Sequence, residues 1–175
     1  MRLFIAINFD TQTIEHMLDV QERLRAVGKG NFSQPENLHL TLVFLGEIAP
    51  DRVPAIRQIM SSLSVPVLRL CFNHVGSFKR DGGDILWIGL AENKALLEVQ
   101  RQLSQRLTDT GFVLERRSFS PHITLARQVK FKVEPDYCAI LSEPFIARTN
   151  SISLMLSERI GGKLTYTEQF SVTAK

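Results

Sequence analysis

The chain has 175 residues, of which 44% are hydrophobic and 22% charged, and this composition predicts a globular domain and excludes a disordered chain. No apolar run approaches the ~20 residues of a membrane span, and the first ten residues turn polar too soon for a secretory signal. The net charge of +3 permits an anionic ligand but does not require a long nucleic-acid footprint.

Two cysteines, Cys71 and Cys138, lie far apart and show no metal-binding spacing. They are typical of a reduced, cytoplasmic protein, although the sequence leaves a bridge between them open.

Hydrophobic periodicity predicts strands that alternate with amphipathic helices. The first half reads as strand 3–9, a helix capped by Asp10 or Thr11 and ending near Gly28, loop 28–37, strand 38–45, helix 51–63 and strand 66–78. The second half reads as strand 84–90, a helix capped by Asn93, strand 119–127, a short helix within 134–144, strand 145–156 and strand 164–172.

The order of elements in residues 1–80 repeats approximately in residues 81–175. This predicts an α+β fold in which two pseudo-symmetric lobes form a single domain. Each lobe is expected to be an antiparallel sheet with helices on its outer face, and the two lobes are expected to enclose a central cleft. No Gly/Ser-rich linker separates the halves, so we expect them to pack as one unit.

A His-x-Thr sequence occurs in a predicted strand of each half, as His39 with Thr41 and as His122 with Thr124. Residues two apart in a strand point to the same face, so each strand presents an imidazole beside a hydroxyl. The residues between and around them, such as Leu40 and Ile123, give the opposite face its apolar character. Two such strands in one cleft would bring two polar pairs together.

Two imidazoles on opposite sides of a phosphorus atom are able to catalyse an in-line displacement. The neutral ring accepts a proton from the entering oxygen, and the cationic ring gives one to the leaving oxygen. The threonine hydroxyls would hold the non-bridging oxygens. This chemistry needs neither metal nor cofactor, and the sequence contains no carboxylate cluster or Cys/His set that predicts a metal site.

Four stretches, LFIAINF, ENLHLTLVFLGE, DILWIGL and SPHITLAR, resemble the bacterial and archaeal RNA 2′,3′-cyclic phosphodiesterases, also called 2′-5′ RNA ligases, of the two-histidine phosphoesterase superfamily. The resemblance implies a two-lobed fold and hydrolysis of a terminal 2′,3′-cyclic phosphate on RNA to a 2′-phosphate, with weak, reversible 2′-5′ ligation. The expected partners are RNA ends, with tRNA fragments or small nucleotides as candidates, and the expected state is a monomer in the cytoplasm.

The resemblance also implies roles for single residues. His39 would be the proton donor, His122 the proton acceptor, and Thr41 and Thr124 the phosphate-binding residues. Arg127, which ends HITLAR, matches an arginine of the family motif and would bind phosphate. Strict alternation from His122 points residue 127 to the opposite face, so the strand must bend to turn this arginine inward.

Phe9 and Phe44 are candidates for stacking on a base, and core packing is the alternative for both. His16 and His74 have no threonine partner and read as structural or surface residues, and Trp87 reads as a core residue. Two other functions stay open at this point. One is a phosphodiesterase for small cyclic nucleotides or ADP-ribose cyclic phosphate, and the other is a non-catalytic RNA- or nucleotide-binding module.

Overall fold

Two antiparallel β-sheets form the body of the protein, and the computed structural model describes residues 1–174. The strands are β1 (Arg2–Ile7), β2 (Gly28–Phe32), β3 (Leu40–Glu47), β4 (Leu68–Phe78), β5 (Asp84–Leu90), β6 (His122–Phe131), β7 (Phe145–Thr149), β8 (Ser151–Ile160) and β9 (Lys163–Thr173). The helices are α1 (Thr11–Val27), α2 (Val53–Ser61), α3 (Lys94–Asp109) and the single turn α4 (Tyr137–Ile140), with 3₁₀ turns at Pro35–Asn37 and Pro50–Arg52.

The four-stranded sheet has the order β3-β1-β8-β9, and the five-stranded sheet has the order β2-β6-β5-β4-β7. Each strand with a His-x-Thr motif pairs with the first strand of its own half, β3 with β1 and β6 with β5. The fourth strand of each half, however, joins the other sheet: β4 pairs with β5, and β8 pairs with β1. The predicted α+β fold with two antiparallel sheets is confirmed, but each sheet contains strands from both halves of the chain.

The two long helices begin at the predicted caps. The Asp10 side chain accepts a hydrogen bond from the Thr13 backbone N–H at 2.8 Å, and the Asn93 side chain accepts one from the Leu96 backbone N–H at 2.9 Å. Helix α1 lies against β2 and β6 of the five-stranded sheet, whereas α3 lies against β3 of the four-stranded sheet and against α2. Each sheet is thus covered by a helix that follows a strand of the other sheet.

In residues 1–174, no helix is both long and apolar enough to span a membrane.

The segment 28–37 was predicted as a loop, but Gly28–Phe32 forms an edge strand paired with β6. Glycine and polar residues hide this strand from a search for β-formers. A Cβ atom at Gly30 would lie 2.7 Å from the Val129 side chain, so the glycine lets the β2 backbone approach β6 closely. The prediction was therefore wrong because close backbone packing, not β-propensity, places this strand.

The segment 145–156 was predicted as one strand, but the chain breaks at Asn150 and passes from β7 in one sheet to β8 in the other. Its hydrophobic pattern runs through the break, so periodicity alone does not reveal the crossing. The first strand is also shorter than predicted, because it ends at Ile7 and not at Phe9.

Strand β1 is buried on both faces. Leu3, Ile5 and Ile7 belong to the main hydrophobic core, which is continuous between the two sheets. On the opposite face, Phe4 and Ala6 form a small second cluster with Met155, and Tyr166 packs against it. His39 lies on this second face of the four-stranded sheet, beside Phe4.

Candidate active site

The two His-x-Thr motifs lie where the two sheets approach each other. His39 directly precedes β3, and His122 begins β6. Cα atoms of β3 and β6 come within 8 Å of each other although the strands belong to different sheets. Burial is the main cause that lowers the pKa of His39, and the positive charge of Arg127, on β6 of the other sheet, lowers it further.

Both histidines are held by the same backbone contact. His39 Nδ1 donates to the Asn37 carbonyl at 2.8 Å, and His122 Nδ1 donates to the Ser120 carbonyl at 2.7 Å. A carbonyl oxygen only accepts, so Nδ1 carries the hydrogen in both neutral rings and Nε2 is left to exchange protons. His39 Nε2 lies 3.1 Å from the Thr41 hydroxyl, which places the imidazole and the hydroxyl side by side as the sequence predicted.

A β-bulge follows the first motif. The register of β3 against β1 shifts twice, and the shift next to the motif leaves Leu42 as an extra residue, so that Leu42 and Val43 are both buried. The extra residue shifts the alternation by one, and Phe44 therefore returns to the side of Thr41 instead of pointing into the main core. Its side chain is 55% exposed, and its ring centroid lies 6.2 Å from that of Phe4.

The second motif is followed by an equivalent bulge in β6. Thr124 pairs with Trp87 and Ala126 pairs with Leu86, which leaves Leu125 as the extra residue. Leu125 and Ala126 are both fully buried, and the next residue, Arg127, is exposed on the side of Thr124. This bulge is the bend that the sequence required to turn the arginine toward the cleft.

Phe44 and Arg127 are thus equivalent positions, each five residues after its histidine and each turned toward the cleft by a bulge. One lobe offers an aromatic ring there, and the other offers a guanidinium group. This difference breaks the pseudo-symmetry of the site.

Gln21 supports the bulge in β6, and the sequence analysis did not single it out. Its side chain, 1% exposed on α1, donates from Nε2 to the Leu125 carbonyl at 2.8 Å and to the Ser33 carbonyl at 3.0 Å. Ser33 in turn donates from its hydroxyl to the Thr124 carbonyl at 2.9 Å. A glutamine at a buried position of the apolar stripe, between Met17 and Leu24, is the signal that was available.

Replacing Gln21 by methionine, which has a similar volume, is expected to lower the free energy of unfolding by about 1–3 kcal/mol, because the Ser33 carbonyl loses its buried donor. Urea unfolding followed by circular dichroism measures this change. The exposed glutamine Gln105 on α3, exchanged for methionine in the same way, serves as the control and is expected to change stability by less than about 0.5 kcal/mol. Equal stability of the Gln21→Met protein and the wild type would contradict the role given to this side chain.

His39 lies in an aromatic pocket. Its ring centroid is 4.9 Å from that of Phe4 and 5.0 Å from that of Tyr166, which meets it edge-on at 87°. Burial lowers the pKa of His39 from its ordinary value of 6.5 to about 4, the hydrogen bond to Asn37 opposes this effect, and the charge of Arg127 adds to it. His39 is therefore neutral at pH 7 in the free protein.

Tyr166, on β9, is a cleft residue that the sequence analysis missed. Burial raises the pKa of its hydroxyl, and the charges of Arg127 and Arg2 oppose this effect. His122 has its own aromatic neighbours on the other sheet, Phe78 at 5.2 Å and Trp87 at 6.2 Å between ring centroids.

The low pKa of His39 predicts how stability changes with pH. Between about pH 6.5 and pH 4 the unfolded chain binds a proton at this residue that the folded chain does not bind, so the free energy of unfolding falls as the pH falls through this window. The loss attributable to His39 is expected to approach about 3 kcal/mol by pH 4. Comparing urea unfolding of the wild type and His39→Gln at several pH values isolates the contribution of His39. The same pH dependence of the free energy of unfolding in both proteins would contradict this prediction.

Phe9 lies on the core side of the chain. It follows β1 in phase with Ile5 and Ile7, and its ring meets the fully buried Phe72 edge-on at 5.7 Å. This position fits core packing, the alternative that the sequence left open, and corrects the base-stacking assignment of Phe9. Phe44, by contrast, keeps an exposed ring beside the cleft.

In residues 1–174, no cluster of three or more His, Cys, Asp or Glu side chains has the arrangement of a metal site.

Comparison with known proteins points to one family. A family model described as the 2′-5′ RNA ligase superfamily matches residues 13–161. The RNA 2′,3′-cyclic phosphodiesterase of Archaeoglobus fulgidus is 30% identical over 128 residues, which are 73% of this chain and 72% of that protein. The protein of the same name from Methanocaldococcus jannaschii is 33% identical over 132 residues, which are 75% and 73% of the two chains. The crystal structure of Escherichia coli LigT complexed with 3′-AMP has the same fold, with a TM-score of 0.82 at 23% identity over 99% of this chain and 97% of that one.

Proposed function

Because the chain belongs to the 2′-5′ RNA ligase superfamily, we propose that its cleft hydrolyses the terminal 2′,3′-cyclic phosphate of RNA to a 2′-phosphate. The observation that carries the proposal is the pairing of two His-x-Thr motifs from different sheets. In both motifs a backbone carbonyl fixes the Nδ1 hydrogen and leaves Nε2 to transfer protons.

The proposed reaction is an in-line displacement at phosphorus. His122 accepts a proton from water as the water oxygen bonds to phosphorus, and His39 donates a proton to the 3′ oxygen as the P–O3′ bond breaks. The products are a 2′-phosphate and a free 3′-hydroxyl. Thr41 and Thr124 donate hydrogen bonds to the non-bridging oxygens, and Arg127 pairs with the negative charge that they carry.

A general acid must be protonated, whereas His39 is neutral in the free protein. The bound phosphate resolves this conflict in two ways. Its negative charge favours the imidazolium form directly, and it neutralises the guanidinium of Arg127, which otherwise lowers the pKa of His39. Substrate binding is therefore coupled to proton uptake at His39. A His39 that stays neutral with ligand bound would instead act as the base, with His122 as the acid.

The terminal nucleoside is placed on the side of His39, since this residue protonates the oxygen of its ribose. Phe44 is exposed on the same lobe and offers its ring to the base. The same displacement with a 5′-hydroxyl in place of water joins two RNA ends through a 2′-5′ linkage, which accounts for weak ligation. The proposed biological partners are RNA fragments such as those of tRNA, bound by a monomer. Both cysteines are free, which supports a reducing, cytoplasmic location.

The direct test is product analysis on an oligonucleotide that ends in a 2′,3′-cyclic phosphate, with and without EDTA. We expect a 2′-phosphate product at the same rate under both conditions. A 3′-phosphate product, or activity that EDTA abolishes, would contradict the mechanism. Tight binding of the cyclic end without turnover would favour a non-catalytic binding module.

The distribution of charge favours a second candidate, a phosphodiesterase for small cyclic nucleotides or ADP-ribose cyclic phosphate. The net charge is only +3, and several exposed cations are already paired with carboxylates, such as Lys79 with Asp84 and Glu134. Comparing kcat/KM for a mononucleoside 2′,3′-cyclic phosphate and for an oligonucleotide with the same end separates the two. A higher value for the mononucleotide would favour the small substrate.

A further inference from the structure

We propose that an aromatic platform beside His122, formed by Trp87 and Phe78, binds the base of a second nucleoside, the one whose 5′-hydroxyl takes the place of water in 2′-5′ joining. This inference rests on the proposed function and adds a site for the second substrate. From the sequence alone, Trp87 is expected in the core.

Register places the platform on the histidine face of the five-stranded sheet. Trp87 on β5 pairs with Thr124 on one side and with Gly76 on the other, so these three residues form one row across the sheet. Phe78 lies two residues along β4 from Gly76 and so belongs to the same face. The platform thus begins directly beside the second His-x-Thr motif.

A glycine allows the indole to lie on the sheet. A Cβ atom at Gly76 would lie 2.5 Å from the Trp87 ring, which leaves no room for any other residue at this position. Glycine within a strand is less stable than alanine, and it commonly marks a close approach of another group to the backbone. Gly89 has the same relation to His74, whose ring meets Trp87 edge-on at 5.4 Å. Two glycines in adjacent strands thus leave room for two rings on the cleft face.

Phe78 connects this surface to the reacting centre. Its ring lies 5.3 Å from that of Trp87 at an angle of 33° and meets His122 edge-on at 5.2 Å. Phe78 and Trp87 are both only partly buried, in contrast to the residues on the opposite face of the same strands, such as Ile88 and Val75. Aromatic surface therefore remains open next to the histidine.

The in-line geometry of the displacement determines which nucleoside this surface would bind. Entering and leaving oxygens lie on opposite sides of the phosphorus, so the oxygen that gives its proton to His122 belongs to the entering group. In joining, the 5′-hydroxyl of the second nucleoside bonds to phosphorus, its proton goes to His122, and the P–O3′ bond breaks as His39 protonates O3′. The product is a 2′-5′ diester with a free 3′-hydroxyl. Phe44 and the platform would then hold the two bases on opposite sides of the phosphate.

The test compares two reactions that use the same histidines. One is cleavage of a 2′-5′-linked adenosine dinucleotide, the reverse of joining, and the other is hydrolysis of adenosine 2′,3′-cyclic phosphate. We expect Phe78→Leu and Gly76→Ala each to lower the ratio of the two kcat/KM values at least about fivefold, because stacking contributes about 1–3 kcal/mol per base. Disturbance of His122 affects both reactions and cancels in the ratio. A ratio within twofold of the wild-type value in both variants would overturn the proposal.

Gly82→Ala is the matched control, since an added Cβ there meets no atom within 4 Å, and its ratio should equal that of the wild type. Trp87 is the single tryptophan of the chain, so its fluorescence gives a readout that needs no turnover. The 2′-5′ dinucleotide is expected to quench this fluorescence on binding, and binding without quenching would overturn the platform. If the wild type hydrolyses no cyclic phosphate, the proposed function fails, and the fluorescence titration alone decides the platform.

Discussion

Replacing either His39 or His122 by alanine is expected to lower kcat for cyclic-phosphate hydrolysis by about 10²–10⁴-fold, because each ring carries one of the two proton transfers. Both side chains lie on the cleft face, outside the main hydrophobic core, so the variants should remain folded. The double variant should lose little more than the worse single variant, since a displacement without its base gains little from keeping its acid. Initial rates at saturating substrate, with circular dichroism as a check on folding, measure these effects.

His16 provides the control for the histidine variants. It is exposed on α1, stacks on Phe145 at 4.9 Å between ring centroids, and has no contact with either motif. His16→Ala should keep the wild-type rate. Full activity in His39→Ala or in His122→Ala would remove that residue from the mechanism.

Replacing Arg127 by alanine is expected to lower kcat/KM by about 10–100-fold, the loss of a charge-assisted hydrogen bond worth about 1.5–3 kcal/mol. Lysine at this position should restore only part of the activity, because it lacks the planar fork that binds two phosphate oxygens at once. Arg101 on α3, exposed and paired with Glu98 at 2.7 Å, is a suitable control for removing an arginine.

The same variant has a second readout that a purely structural role would not change. Burial is the main cause of the low pKa of His39 and the charge of Arg127 is a smaller one, so Arg127→Ala should raise this pKa above about 4 while burial keeps it below its ordinary value. NMR titration of the imidazole signals of the free protein measures this shift. An unchanged pKa of His39 would show that the arginine does not face the cleft.

The polar half of the site was predictable because its spacing matches the period of a strand. His-x-Thr needs only two-residue alternation to place His39 with Thr41 and His122 with Thr124. The cap residues Asp10 and Asn93 were predictable for a similar reason, since a local side-chain contact determines them.

What the sequence did not reveal depends on contacts between distant segments. The bulges that turn Phe44 and Arg127 toward the cleft each break the alternation by one residue, and Gln21, about a hundred residues away, stabilises one of them. The exchange of β4 and β8 between the sheets leaves no periodic signal either. This exchange also places Tyr166 in the site, because β9 follows β8 in the chain and pairs with it in the four-stranded sheet.

The central claim is that two histidines act on opposite sides of one phosphorus in a single displacement. Hydrolysis of one diastereomer of a 2′,3′-cyclic phosphorothioate in ¹⁸O-labelled water tests it directly, since the configuration of the product reports the number of displacements. Direct attack by water predicts inversion at phosphorus. Retention would mean two displacements through a covalent phosphohistidine and would contradict the assignment of His39 and His122 as acid and base.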